Sequence, residues 1–256
     1  MVLCGARWWL VAAGLRRLPH ALRDDADLLD AGAARPPSTR ADLARIARFG
    51  LPVAGHLAAE IGVFAIATVL AAGLGTVPAS AHAIALALSS FTFSVAVGIG
   101  AATSVRVGHA LGAGERALAR WRGLIGLGLG LGVMSTFAIA FLTAAGPLAG
   151  LFTDRAATIA AAIPLLQIAA LFQLSDGTQA IAAGALRGIG DTRATFVGNV
   201  LGHYGVGLGI SLALAFAAGL GAPGLWWGLS AGLTTTAAYL VRRFLVGTRL
   251  PRGAPS

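Results

Sequence analysis

The chain has a single cysteine, Cys4, among 256 residues. That excludes an internal disulfide framework and a cysteine-built metal site. Charge is just as scarce: 11% of residues are Asp, Glu, Lys or Arg against 57% hydrophobic, and the mean hydropathy is +0.80. Such proportions exclude a soluble globular domain and define an integral membrane protein. Lysine is absent altogether, so all 19 basic side chains are arginines, set against 10 acids for a formal charge of +9. In a soluble protein that balance would suggest nucleic acid. Here the arginines sit in short segments between apolar spans, where they meet anionic lipid headgroups and set orientation. No basic stripe with interleaved aromatics is present, and nucleic acid is excluded as a partner.

What remains is a series of long apolar runs, near residues 51–73, 80–105, 121–144, 158–185, 194–217 and 223–245. Each has about the 20 residues that a helix needs to cross the hydrocarbon core. The fold class predicted is all-α, a polytopic six-helix transmembrane bundle. Gly126, Gly130, Gly198, Gly202, Gly205, Gly209, Gly224, Gly228 and Gly232 recur at four-residue spacings inside these runs, a pattern that lets helix backbones pack closely. Ahead of the spans, the apolar stretch 8–15 lies between Arg7 and Arg16-Arg17; it is too short to span a bilayer and lacks a signal-peptide cleavage site. It reads as an interfacial anchor or the tail of another helix. A charged linker rich in Ala, Pro and Ser follows, ending in a short amphipathic helix over 39–49. The organisation expected is thus a cytoplasmic linker at 1–50, a transmembrane lobe at 51–246 and a cytoplasmic tail at 247–256.

Within the six spans only two acids occur, Glu60 near the centre of the first and Asp176 in the fourth, about twelve residues beyond Pro164. An ionised side chain facing lipid at that depth costs roughly 2.5 to 3.5 kcal/mol, so each needs a partner, a proton or a cation. At helical spacing Phe172, Asp176, Gln179 and Ala183 share one face, and His56 stands one turn before Glu60. Asn199 and His203 form a polar pair at i, i+4 in the fifth span. Intramembrane carboxylates mark ion or proton pathways, and two in one bundle point to a coupling site for H+ or a small cation such as Na+. Gln179, Asn199, His56, Phe172 and His203 are the further candidates for a substrate or cation cavity. Interhelical hydrogen bonding is the commoner role for the asparagine and the histidines. No catalytic residue, enzyme activity, cofactor or other metal site is expected.

Gly188-Ile189-Gly190-Asp191 matches the GxGD signature of intramembrane aspartyl proteases. That chemistry needs two membrane-buried aspartates sharing a proton. Asp191 instead lies between Arg187 and Arg193 at a span edge, where helix capping and loop-charge pairing account for it.

Four stretches together resemble the multidrug and toxic compound extrusion (MATE) transporters. These are Gly50-Leu51-Pro52 with Glu60 eight residues beyond the proline, Ala81-His82-Ala83-Ile84-Ala85, the turn from Val107-Gly108 to Gly112-Ala113-Gly114, and GALRGIGDT from Gly184 to Thr192. The likeness covers roughly residues 43–246 and is similar to the C-terminal six-helix lobe of the NorM-like branch. It implies a cation-coupled antiporter exporting amphipathic, often cationic compounds by alternating access. Glu60 and Asp176 match the acids that bind the coupling cation in the sodium-dependent branch, whereas Phe172 replaces a tyrosine common there, so Na+ and H+ both stand. Family members have twelve spans, which implies a partner lobe, either an N-terminal lobe or a second copy of this chain, and no activity for a lone lobe. The alternatives are a lipid-linked substrate flippase of the same superfamily, for which no cluster of cations at membrane depth is seen, and a non-transporting assembly partner or truncated fragment.

Orientation follows from the arginines: eight precede the first span, four lie in the second connection, two in the fourth and four after the last, so 18 of 19 fall on one side. The positive-inside rule assigns that side and both termini to the cytoplasm of a bacterial-type inner membrane. Single cysteines at Gly75, Gly146 and Gly221 in a Cys4→Ala background are expected to react with impermeant thiol reagents from outside the cell, and one at Gly112 is not. Labelling of the Gly112 position alone would reverse the topology.

Overall fold

In hydrocarbon every backbone N–H and C=O must be satisfied within its own segment, so apolar runs of this length fold as helices. The computed structural model describes residues 39–249, and every long element among them is helical. The elements are α1 (Thr39–Gly73), α2 (Thr76–Gly112), α3 (Arg116–Thr143), the short α4 (Ala145–Gly150), α5 (Ala156–Gly188), α6 (Thr192–Ala217) and α7 (Ala222–Gly247). By internal contacts the chain divides into residues 1–47 and residues 48–256, and the bundle belongs to the second unit. The apolar stretch 8–15, most of the charged linker and the end of the tail lie outside the described residues.

One expectation is corrected here. The amphipathic segment 39–49 is not a separate helix, because α1 runs unbroken through Gly50 and Leu51 with Pro52 inside it. A single proline removes one N–H from the ladder, a loss that membrane helices absorb, as α5 does at Pro164. Of the six long helices, five are long and apolar enough to cross a membrane by length and composition. The sixth, α7, is 26 residues long but less apolar, since it carries Trp226, Trp227, three consecutive threonines at 234–236 and the Arg242-Arg243 pair.

The helix at the centre is α5. Half of its most apolar window is buried, against 22 to 33% for the other four membrane helices, and it packs on α2, α3 and α7. Around its first half Leu165, Leu166, Phe172, Trp226 and Leu233 form the main core, and around its second half Leu186, Leu240 and Phe244 form another. The contact with α2 is backbone against backbone: a Cβ at Gly184 would land on the Gly100 carbonyl. On the other flank Gly228 and Gly232 of α7 meet Ser211, Gly202 and Gly207 of α6 in the same way. Gly205 and Gly209, part of the same sequence spacing, have nothing within 4 Å and so lie outside that seam.

Helix α6 is composite, α-helical over Thr192–Asn199 and Leu208–Leu212 and π-helical over Val200–Gly207 and Ala213–Ala217. Wide turns of this kind re-aim side chains and recur at functional sites. Its start is fixed by Asp191, whose Oδ1 accepts from the Ala194 N–H at 3.2 Å, while Oδ2 pairs with Arg243 at 2.6 Å. The GxGD aspartate is therefore a helix cap, and its charge partner is an arginine distant in sequence rather than Arg187 or Arg193.

Gly184→Val is expected to force α2 and α5 apart and to cost about 1 to 3 kcal/mol or more, read as a lowered unfolding temperature in detergent. Gly205→Ala, with open space around it, serves as the neutral control.

Candidate ion and substrate site

Glu60 and Asp176 are only 6% and 3% exposed, so neither faces lipid although both stand in mid-membrane segments. They come from different helices, α1 and α5, yet border one cavity of about 500 Å³. Its remaining walls are largely apolar, with Phe64 from α1, Leu86 and Phe93 from α2 and Phe172 from α5, and its polar rim consists of Thr68, Ser89 and Ser90. Neither wall nor rim carries a cationic side chain. The Ser89 hydroxyl is buried and has no hydrogen-bond partner among the described residues.

The two acids have different surroundings. Glu60 Oε2 lies 3.5 Å from His56 Nε2, one turn earlier on the same helix, and the His56 ring reaches the Thr195 carbonyl of α6 through Nδ1 at 3.2 Å. Asp176 makes no hydrogen bond to another described residue and feels the Glu60 charge across the cavity. Arg187, in the last turn of α5, acts on Glu60 and His56 only at coulombic range. Neither carboxylate thus has an arginine ion pair, and both retain free oxygen valence toward the cavity. Carboxylate and hydroxyl oxygens are the ligands a hard monovalent or divalent cation selects, and either acid can equally take a proton.

The remaining candidates separate into two groups. Phe172 lines the cavity and stacks edge-on against Phe64 at 6.0 Å and Trp226 at 5.4 Å. Gln179, Asn199 and His203 are fully or almost fully buried and lie behind the cavity wall, and His56 likewise does not line it. His203 Nδ1 is within 3.2 Å of the Asn199 carbonyl, which makes it the donor and leaves Nε2 without a partner. The Asn199 side-chain amide has no partner on either the oxygen or the nitrogen, and the Gln179 amide, close enough to act on Glu60, makes no well-formed hydrogen bond. Buried polar atoms of this kind are normally satisfied, by protein or by ordered water.

Sequence reasoning missed a second polar chain beside the cavity. Trp226 donates from Nε1 to His82 Nδ1 at 3.2 Å, so the His82 hydrogen is on Nε2, which faces Thr68 Oγ1 at 3.1 Å, and Thr68 donates to the Phe64 carbonyl at 2.8 Å. Nearby, Gln173 donates to Thr92 Oγ1, which in turn donates to the Ser89 carbonyl at 2.8 Å. The signal for the first chain, a buried tryptophan able to act only as a donor, is visible in the sequence, but its acceptor 144 residues away is not.

The fold is an all-helical membrane bundle in which two acids, neither ion-paired to an arginine, border one apolar cavity. Residues 52–213 match the family model described as MatE, and the chain belongs to the MATE family, whose members are transporters and not enzymes. It is 44% identical over 81% of its length to a probable multidrug resistance protein NorM of Deinococcus radiodurans, of which it covers 47%. It is 39% identical over 96% of its length to the multidrug resistance protein NorM of Burkholderia vietnamiensis, of which it covers 54%. The chain therefore spans about half the length of the curated relatives it matches. Among solved structures the eukaryotic MATE transporter AtDTX14 shares the fold, with a TM-score of 0.76 at 24% identity over 84% of this chain and 48% of that one.

Trp226→Phe keeps the aromatic packing but strips His82 of its donor. A loss of about 1 to 3 kcal/mol is expected for the orphaned buried nitrogen, measured as a reduced unfolding midpoint in detergent.

Proposed function

We propose that this chain is one lobe of a cation-coupled antiporter, driven by Na+ or H+, that exports drugs and other amphipathic, often cationic compounds by alternating access. The observation that carries the reading is the shared cavity: two acids from different helices and no cationic side chain face an apolar space of about 500 Å³. Such a space suits an amphipathic cation, with the aromatic walls taking its apolar body and the acids its charge. Glu60 and Asp176 are the coupling groups. Binding of the coupling ion neutralises them and releases the cationic solute, and loss of the ion restores the attraction. The acids need not be occupied together, because a shared cavity makes ion and solute compete for one negative charge density. A flippase for pyrophosphate-linked cargo is the weaker reading, since an anionic cargo would meet two acids and no base at the cavity wall.

Alternating access in two-lobed transporters rocks one bundle against the other around a midplane site, so the working unit includes a second lobe, an N-terminal lobe or another copy of this chain. Both termini are assigned to the cytoplasm by the arginine asymmetry.

Glu60→Gln and Asp176→Asn, each co-expressed with the partner lobe, are expected to abolish cation-driven efflux of ethidium while membrane insertion stays normal, and Asp191→Asn is expected to lower it only modestly. Normal efflux by both buried-acid variants would make the acids structural groups and refute the mechanism.

A further inference from the structure

Several of the contacts between α1 and α6 flank Glu60. One turn before the acid, the His56 ring spans from Glu60 Oε2 at 3.5 Å to the Thr195 carbonyl of α6 at 3.2 Å. One residue before it, the Ala59 carbonyl accepts from the Tyr204 hydroxyl of α6 at 2.9 Å. Both links depend on close packing at glycine: a Cβ at Gly55 would stand 3.1 Å from the Phe196 ring, and one at Gly62 would crowd the Tyr204 hydroxyl. A carbonyl can only accept, so Nδ1 of His56 carries the hydrogen and Nε2 is an acceptor; it can hold Glu60 only when the acid is protonated and donates from Oε2. The tautomer and the ring plane are thus set by the backbone of α6. Asp176 has no comparable tie.

We propose that His56 is a positioning residue for the protonated form of Glu60: held by the Thr195 carbonyl, its Nε2 accepts from the Glu60 carboxyl at the cavity wall and ties proton occupancy there to helix α6. This deepens the coupling role proposed above and rests on it. The device is a hydrogen bond to the neutral form of a carboxyl, in which an imidazole anchored on a carbonyl orients the acid while it holds the proton. It gives the two acids separate tasks. Asp176 is free to follow the solute, while Glu60 moves only together with α6, whose π-helical segment Val200–Gly207 starts five residues after Thr195 and carries both His203 and Tyr204. Groups bearing charge or able to titrate that face this pair are Asp176 and Arg187 from α5 and His203 and Tyr204 from α6; among the cavity residues of α2 there is none.

The test titrates the purified full chain in nanodiscs with acid, in sodium chloride and in choline chloride, and reads the H+ concentration giving half of the proton-dependent change in unfolding temperature. Glu60→Gln is expected to remove the dependence. His56→Ala is expected to raise the half-effect H+ concentration about tenfold, the worth of about one hydrogen bond, and His56→Gln, whose amide oxygen can accept from the carboxyl, to recover most of it. In the unsubstituted chain, 15N-histidine NMR is expected to find the His56 hydrogen on Nδ1, with the signal moving on Glu60→Gln. An unchanged half-effect concentration in His56→Ala, or a His56 hydrogen on Nε2 with Nδ1 bare, overturns the positioning role while leaving the coupling acids intact. An ion dependence that survives Glu60→Gln removes the coupling reading itself, and the positioning role with it. Should His56→Ala fail to insert, the His56→Gln titration and the NMR assignment decide the matter alone.

Discussion

Everything in this bundle answers to the difficulty of keeping two carboxylates at membrane depth. Lipid contact is ruled out by energy, so Glu60 and Asp176 must be turned inward, and an inward-facing acid needs a partner, a proton or a cation. The bundle meets the first demand by close packing. Where α2 meets α5 and α6 meets α7, glycines remove the side chains that would otherwise hold the backbones apart. It meets the second by leaving a cavity between α1, α2 and α5 where neither acid is neutralised by an arginine.

The polar groups sort by the same constraint. His82 is closed into a chain from Trp226 to the Phe64 carbonyl, with every hydrogen assigned and no valence left for a solute. His56 and His203 are each anchored on a backbone carbonyl through Nδ1, which frees Nε2; in His56 that nitrogen meets Glu60, and in His203 it meets nothing. Three buried histidines in one bundle therefore have three different roles: one locks packing, one addresses an acid and one leaves a buried acceptor open beside Gln179 and Asn199.

Much of this was legible in the residues. Composition and run length are enough for an all-helical membrane bundle, because hydrocarbon leaves the backbone no alternative. Glu60 and Asp176 stand out because nothing else in the spans is acidic, and the i, i+4 relation of His56 to Glu60 is a local property of one helix. Three features were not legible. The continuity of α1 through Pro52 depends on whether one lost hydrogen bond is tolerated in place, and sequence periodicity does not register that. The uneven use of the glycines, with Gly228 and Gly232 inside a seam and Gly205 and Gly209 outside it, depends on which face a composite α/π helix presents, and each π turn shifts that face. The Thr195 carbonyl is invisible in principle, since every residue carries one and only the packing of α6 on α1 singles it out.

The asymmetry between the two acids bears on how such a lobe can work with a partner. If both carboxylates were equally free, ion release would simply expose charge to the cavity and no helix would be obliged to respond. If both were clamped, the solute could not draw an acid toward itself without breaking packing. Here one acid is tied through an imidazole to a neighbouring helix, and the other projects from the most buried helix of the bundle with no hydrogen bond to a described residue. A change of charge at Glu60 must then be accommodated either by breaking the His56 bridge or by moving α6 along with α1. The Tyr204 link to Ala59 and the Gly55 and Gly62 contacts oppose separation, and the glycine-rich π turns of α6 offer compliance within that helix. Under the coupling proposed above, these links carry a change of charge at Glu60 into α6.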